Sequence, residues 1–352
     1  MGIKNKQARN RKKMMVIKED GLRMELIVSG YGLEPQKTIA LYQYEGGTSY
    51  NKLWDASIEN ASFVCAGDEI LYTITEADDY AWVYSYQREA NEWHRIDQRR
   101  IEGGALCHIT YSSKHKTLFG ACYSTGTVFA IEVLNGKFGE ITYQEIQQTV
   151  PPADLTRAHC VLLNKNEDML YTVNIALDCI YRYHINQGHL QLSDCITLPK
   201  DVGPRHTLLS PKEDILYLIT EYSNEIFLIK LNQDNKIIQR ISTLPEHFAQ
   251  TSYCSTLCFS RNGAFLYGAN RGAESIALFA VNEDGTLTKK ADYPCGGNHP
   301  RHMLISKDGN YLIVCNQTSN QVVIHELDPE EGYINSQAAV INFHAPSGIL
   351  EL

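Results

Sequence analysis

Two Arg-His pairs, Arg205-His206 and Arg301-His302, stand eleven and ten residues ahead of Leu216 and Leu312, each of which heads an apolar run. The same offset from an apolar-run leucine marks Asn60-Ala61, Cys107-His108, His159-Cys160 and Ser255-Thr256. Five residues after those leucines stand Tyr31, Glu76, Tyr123, Ile175, Glu221, Arg271 and Gln317. If both positions point into one space, they assemble three guanidiniums (Arg205, Arg271, Arg301), two carboxylates (Glu76, Glu221) and three imidazoles (His159, His206, His302). Each guanidinium is a planar fork that matches a carboxylate or a phosphate. A His or Glu beside them is suited to general-base work. The competing reading is that these charges pair across neighbouring units and only brace the interior.

The elements that must position them repeat. Leu26, Leu71, Leu118, Leu170, Leu216, Leu266 and Leu312 open strand-like runs at intervals of 45 to 52 residues. Most are preceded by a short apolar run ending in a turn, as in HTLLSPKED, and followed by a second alternating run, as in NEIFLIKLN. Several short strands per unit without helical periodicity predict β-propeller blades. The fold expected is therefore all-β, a seven-bladed β-propeller over residues 24–352, preceded by a basic tail over residues 1–23 that is flexible in part. In a propeller the same register in every blade faces one central channel, which brings the charged positions together. The closing HAPSGILEL resembles a first strand with no successor, and MELIVSGYG a later strand with no predecessor. One blade is thus predicted to be closed by strands from both termini, which removes two exposed sheet edges.

Composition narrows the function. A net charge of −9 argues against nucleic acid or an acidic membrane as partner. No apolar stretch reaches the roughly 18 residues of a membrane-spanning helix, and no apolar segment follows the basic start, so a cytoplasmic location is expected. Ten scattered cysteines fit a reducing compartment. Cys254 and Cys258, four apart in one strand, are expected on one face, with no second pair or nearby His to complete a metal site. No metal or other cofactor is expected. Gly103-Gly104 and Gly296-Gly297 read as sharp turns ahead of blades, not as a phosphate loop.

GPRH at 203–206 with LYLITE, LYGANRG with SIALFAVNEDGTL, and HPRHMLISKDGNYLIVCNQ together resemble the lactonase family of seven-bladed propellers. Its members include cycloisomerase-type 6-phosphogluconolactonases and carboxy-cis,cis-muconate cyclases. The resemblance runs from about residue 24 to the end and is strongest over 155–327. It implies a site made of His159 in RAHCVLL, Arg205 in GPRH, Glu221 in LITEYSNE, Arg271 in ANRG and Arg301 in HPRH. Arg157 stands where many relatives carry a second His. The expectation is a hydrolase acting on a small anionic sugar lactone, 6-phospho-D-glucono-1,5-lactone of the pentose phosphate pathway. Glu221 or His159 serves as base, Arg271 faces the oxyanion, and Arg205, Arg301, His206, His302 and Glu76 bind substrate. Another anionic lactone, the reverse lactonisation, and a non-catalytic binding propeller remain as alternatives.

Overall fold

The structure, a computed structural model, describes residues 23–231 and 234–352. The basic stretch KNKQARNRKK lies outside the described residues. Among the described residues twenty-eight strands form seven four-stranded antiparallel sheets. Blade one is completed by the end of the chain: Pro346–Glu351 is its innermost strand and pairs antiparallel with Met24–Gly30, Val28 opposite Ile349. Blades two to seven follow in order, their innermost strands being Val64–Gly67, Leu106–Ser112, Ala158–Leu163, Pro204–Leu209, Tyr253–Phe259 and Pro300–Ile305. Each is followed outward by the strand that carries the repeat leucine.

All seven repeat leucines are fully buried. They sit in strands covered on both faces, which explains why LYLIT and its counterparts read as continuous apolar runs. The cores lie between blades: Ile215 and Tyr217 of blade five pack with Leu266 and Phe279 of blade six, and six further clusters repeat that arrangement round the ring. Each buried Leu, Ile or Phe is worth about 1.5–3 kcal/mol. The outermost strands face solvent on one side, and Lys236–Ser242 alternates exposed and half-buried residues. Among the described residues no helix is long and apolar enough to cross a membrane.

Two backbone features repeat where the innermost strands meet the channel. The register shifts at Cys107, His159-Cys160, Arg205, Ser255-Thr256, Arg301 and Ser347, where the inner strand gains one residue over its partner. Such a bulge bends the strand and re-aims the extra side chain. Two residues earlier a carbonyl accepts a cross-strand N–H: Gly203 O from Glu221, His299 O from Gln317, Arg157 O from Ile175, Ala105 O from Tyr123, Asn60 O from Glu76 and Ala345 O from Tyr31. Gly203 is required at its position. Its φ of +65° is left-handed, and an added Cβ would meet the Tyr222 ring at 2.6 Å.

Two expectations change. In blade two the channel position is Ser62-Phe63, not Asn60-Ala61, because the turn between Gly67 and Ile70 makes that hairpin two residues shorter than the Arg205 hairpin. Cys254 and Cys258 do not share a face. The bulge at Ser255-Thr256 turns the strand between them, so Cys254 packs between blades five and six and Cys258 between six and seven.

Candidate active site

The bulged residues and those five beyond the repeat leucines meet at one end of the channel. Glu221 sits between two guanidiniums: Arg205 Nε is 3.1 Å and Arg271 Nη2 3.3 Å from its Oε2. Arg205 is 3% exposed, and its Nη1 donates to the carbonyl of Ser255 across the blade boundary. Arg271 Nη2 also donates to Cys254 O at 2.8 Å. The carboxylate and two carbonyls thus fix both forks. Their charges repel, so burial first and Arg271 second lower the Arg205 pKa to about 9, and burial likewise lowers that of Arg271.

Across the mouth, Arg301 Nη2 donates to Tyr31 Oη at 2.5 Å, and Tyr31 Oη donates to Glu76 Oε2 at 2.8 Å. Glu76 Oε1 lies 3.8 Å from Arg301 Nη2. This relay joins blades seven, one and two. Burial opposes the Arg301 charge, but Tyr31 and Glu76 outweigh it and raise its pKa above the ordinary value. Burial also raises the Tyr31 pKa, so its hydroxyl stays protonated.

One layer deeper the channel is filled with rings. Phe63 lies 4.2 Å from His108 and 5.4 Å from His302, while His206 lies 5.3 Å from His108, 5.1 Å from His159 and 6.4 Å from His302, all between centroids. These rings form a floor, and Phe63, His159, His206 and His302, with Ser62, Glu76, Cys107, Arg205, Arg301 and Ser347, line a cavity of about 10 Å³, room for about one water. Burial, reinforced by nearby guanidiniums, holds His159 and His206 well below the usual histidine range and His302 at about 4. The rings are therefore neutral at pH 7. His206 Nδ1 contacts Thr256 Oγ1 at 3.1 Å, whereas His159 Nδ1 and His302 Nδ1 are buried with no hydrogen-bond partner among the described residues. A buried polar atom left unpaired costs about 1–3 kcal/mol, a debt a ligand can cancel.

All eight residues singled out from the sequence come to this end of the channel, in two groups. His159, Arg205, Glu221 and Arg271 form the compact centre, with Arg301 and Glu76 opposite. His206 and His302 lie in the floor. The offset argument named His108 at its register without taking it into the cluster, and it missed Phe63 because the blade-two hairpin is two residues shorter. It also passed over the layer two residues nearer the solvent. There His299, with φ of 62°, is half-buried, and burial followed by Arg271 and Arg301 lowers its pKa to about 4. Among the described residues no group of three or more His, Cys, Asp or Glu is arranged to hold a metal.

Seven blades around a channel that gathers guanidiniums, carboxylates and neutral imidazoles at one end define a propeller with a buried charged cluster there. Residues 25–350 match the family described as lactonase, seven-bladed β-propeller, and the chain belongs to that family. It is 26% identical over 322 residues to a 6-phosphogluconolactonase of Bacillus subtilis, covering 87% of this chain and 92% of the relative. A 6-phosphogluconolactonase of Buchnera aphidicola is 26% identical over 71% of this chain and 76% of its own. A solved periplasmic gluconolactonase of Pseudomonas aeruginosa superimposes with a TM-score of 0.87 at 22% identity, covering 94% of this chain and 99% of that one, a likeness of fold.

Proposed function

We propose that this protein is a lactone hydrolase and that its substrate is 6-phospho-D-glucono-1,5-lactone, opened by water to 6-phosphogluconate. The observation that carries the reading is His159, neutral and with its Nδ1 lacking a hydrogen-bond partner among the described residues, grouped with Arg205, Glu221 and Arg271 at one end of the channel. The names of the Bacillus and Buchnera relatives support the substrate.

In this scheme His159 is the base. Both oxygens of a carboxylate can accept, but Oε2 of Glu221 is shared between two guanidiniums, whereas His159 Nδ1 has no hydrogen-bond partner among the described residues. The imidazole takes a proton from water, whose oxygen attacks the lactone carbonyl. The tetrahedral oxyanion that forms lies against Arg271, with Arg205 behind it, and needs no reorganisation because Glu221 and the carbonyls of Cys254 and Ser255 already fix both forks. Collapse breaks the bond from the carbonyl carbon to the ring oxygen, which leaves as a hydroxyl with the proton His159 had taken. The guanidiniums that keep His159 neutral weaken it as a base. A bound anion and the oxyanion offset that repulsion, so the ring gains basicity when substrate is present. The ten free cysteines fit our assignment of this activity to the reducing cytoplasm.

The test is acid release at constant pH from 6-phosphogluconolactone, gluconolactone and a muconolactone, each corrected for spontaneous opening. Faster opening of the phosphorylated lactone than of the other two is expected. No catalysed opening of any of the three makes the binding propeller the better reading.

A further inference from the structure

We propose that Arg157, stacked on Tyr123, forms an outer subsite that takes the phosphate of the lactone and selects phosphorylated over unphosphorylated substrate; this rests on the lactonase reading.

Arg157 belongs to the layer whose carbonyls accept the N–H of the residues five beyond the repeat leucines, since its own carbonyl accepts from Ile175 at 2.8 Å. It therefore stands at the rim of the same mouth, two residues from His159 in the chain. Its guanidinium carbon lies 5.0 Å from the centre of the Tyr123 ring, and that ring makes an edge contact with His159 at 6.2 Å. One Tyr ring thus joins the rim cation to the proposed base. Nη1 donates to Tyr222 Oη at 3.4 Å, and the backbone N–H donates to Asn174 Oδ1 at 2.9 Å. The arginine is held by neutral groups on every side.

The other three guanidiniums are already committed. Arg205 and Arg271 flank Glu221, and Arg301 is tied to Tyr31 and Glu76. Among the described residues Arg157 makes no ion pair, and it is half-buried, so its fork has room for an anion. A guanidinium resting on an aromatic face is desolvated on one side and pre-set for bidentate contact with phosphate. The phosphate fits Arg157 better than Arg301, whose fork is tied to Tyr31 and Glu76.

The experiment compares the parent with Arg157→Gln and Arg157→Lys. For each, kcat and KM are measured on 6-phosphogluconolactone and on gluconolactone, and the affinity for 6-phosphogluconate and for gluconate is read by calorimetry. In Arg157→Gln the ratio of kcat/KM for the phosphorylated over the plain lactone should fall about 10–100-fold, the scale of one charged hydrogen-bonding pair, and mainly through KM. Arg157→Lys should keep part of the preference. Binding of 6-phosphogluconate should weaken by a similar factor while that of gluconate moves little. Equal losses on both lactones, or unchanged 6-phosphogluconate binding in Arg157→Gln, overturns the subsite and leaves the lactonase reading standing. If the parent opens neither lactone, the lactonase reading fails, and the calorimetric comparison still decides whether Arg157 holds a phosphate. Should Arg157→Gln not fold, Arg157→Lys against the parent supplies the same comparison.

Discussion

Blades four to six and blades one to three offer the channel the same backbone and different side chains. On one side the channel register and its cross-strand neighbour present His159 with Ile175, Arg205 with Glu221, and Ser255 with Arg271. On the other the same two positions present Ser347, Ser62 and Cys107, with Tyr31, Glu76 and Tyr123. The carbonyl-to-amide bond that sets the second position is kept on both sides, between 2.6 and 3.1 Å. The repeat therefore makes seven equivalent places, and chemistry is concentrated by residue choice at a few of them. Ring closure belongs to blades one to three and the proposed reaction to blades four to six. Changes on the two sides should consequently fail in different ways.

The largest effect is expected from deleting residues 346–352. This removes the innermost strand of blade one, uncovers the edge of Met24–Gly30 and takes Ile349 out of the core between blades seven and one. Losing Ile349 alone costs about 1.5–3 kcal/mol. The open edge adds to it, against a typical net stability of about 5–15 kcal/mol. Loss of cooperative thermal unfolding or of soluble protein is the expected result. A truncated protein that melts like the parent would break the idea that this side carries closure.

Next come Glu221→Gln and His159→Gln on the opposite side. His159→Gln should lower kcat on the phosphorylated lactone by about 10²-fold or more, the usual scale for a lost general base, and should remove the acid limb of the rate profile. Because its pKa is pushed down in the free protein, the acid limb of the parent's kcat/KM profile should lie below the ordinary histidine range of about 6.5. Glu221→Gln loosens the grip on Arg205 and Arg271, and should lower kcat while leaving the limb in place. Near-parent turnover in both variants would remove the chemical half of the comparison.

The difference between the two sides was only partly visible in the chain. The repeat leucines were legible because strands covered on both faces are written as apolar runs, and closure because HAPSGILEL repeats the pattern of GPRHTLLS. Glu221 and Arg205 could be aligned by counting, since blades three to seven keep one hairpin length. Counting failed at blade two, where a shorter turn moved the channel position to Ser62. It also could not see that Arg301 reaches Tyr31, 270 positions away, because that pairing exists only once the ring has closed. The ring floor was hidden for a related reason: Phe63, His108 and His302 belong to three different blades, and none of their mutual contacts is local.

The floor spans both sides and should show in the pH dependence of stability. Burial first, then nearby positive groups, hold His108 at about 3 and His302 at about 4. An unfolded chain takes up protons at these residues near pH 6.5, and the folded one does not until much lower. Stability is thus full above about 6.5 and declines as the pH falls toward about 4, by up to about 1.4 kcal/mol per pH unit for each ring. Urea midpoints at pH 7, 6 and 5 should show the decline, and His302→Gln should make it shallower. An identical slope in that variant would mean the floor rings are not responsible.

The smallest effect is expected from Cys107→Ser, which makes the comparison sharpest because Cys107 occupies the bulged register that holds Arg205 in blade five and His159 in blade four. Its thiol contacts the carbonyls of Ala121 and His159 at 3.5 Å and of Ala158 at 3.8 Å. Burial first, and Glu76 second, raise its pKa well above the ordinary thiol value, so it stays a neutral donor rather than a nucleophile. A hydroxyl supplies the same donor on a shorter bond, so the hydrogen bonding weakens without vanishing. The expected cost is about 1 kcal/mol of stability. Turnover should stay within about twofold of the parent, since no proton, charge or oxyanion contact is removed. Melting temperature and kcat measured side by side with His159→Gln give the contrast: one register, two blades, and losses of activity that differ by about 10²-fold. A comparable collapse of kcat in Cys107→Ser would place the chemistry on both sides of the ring and end the distinction between them.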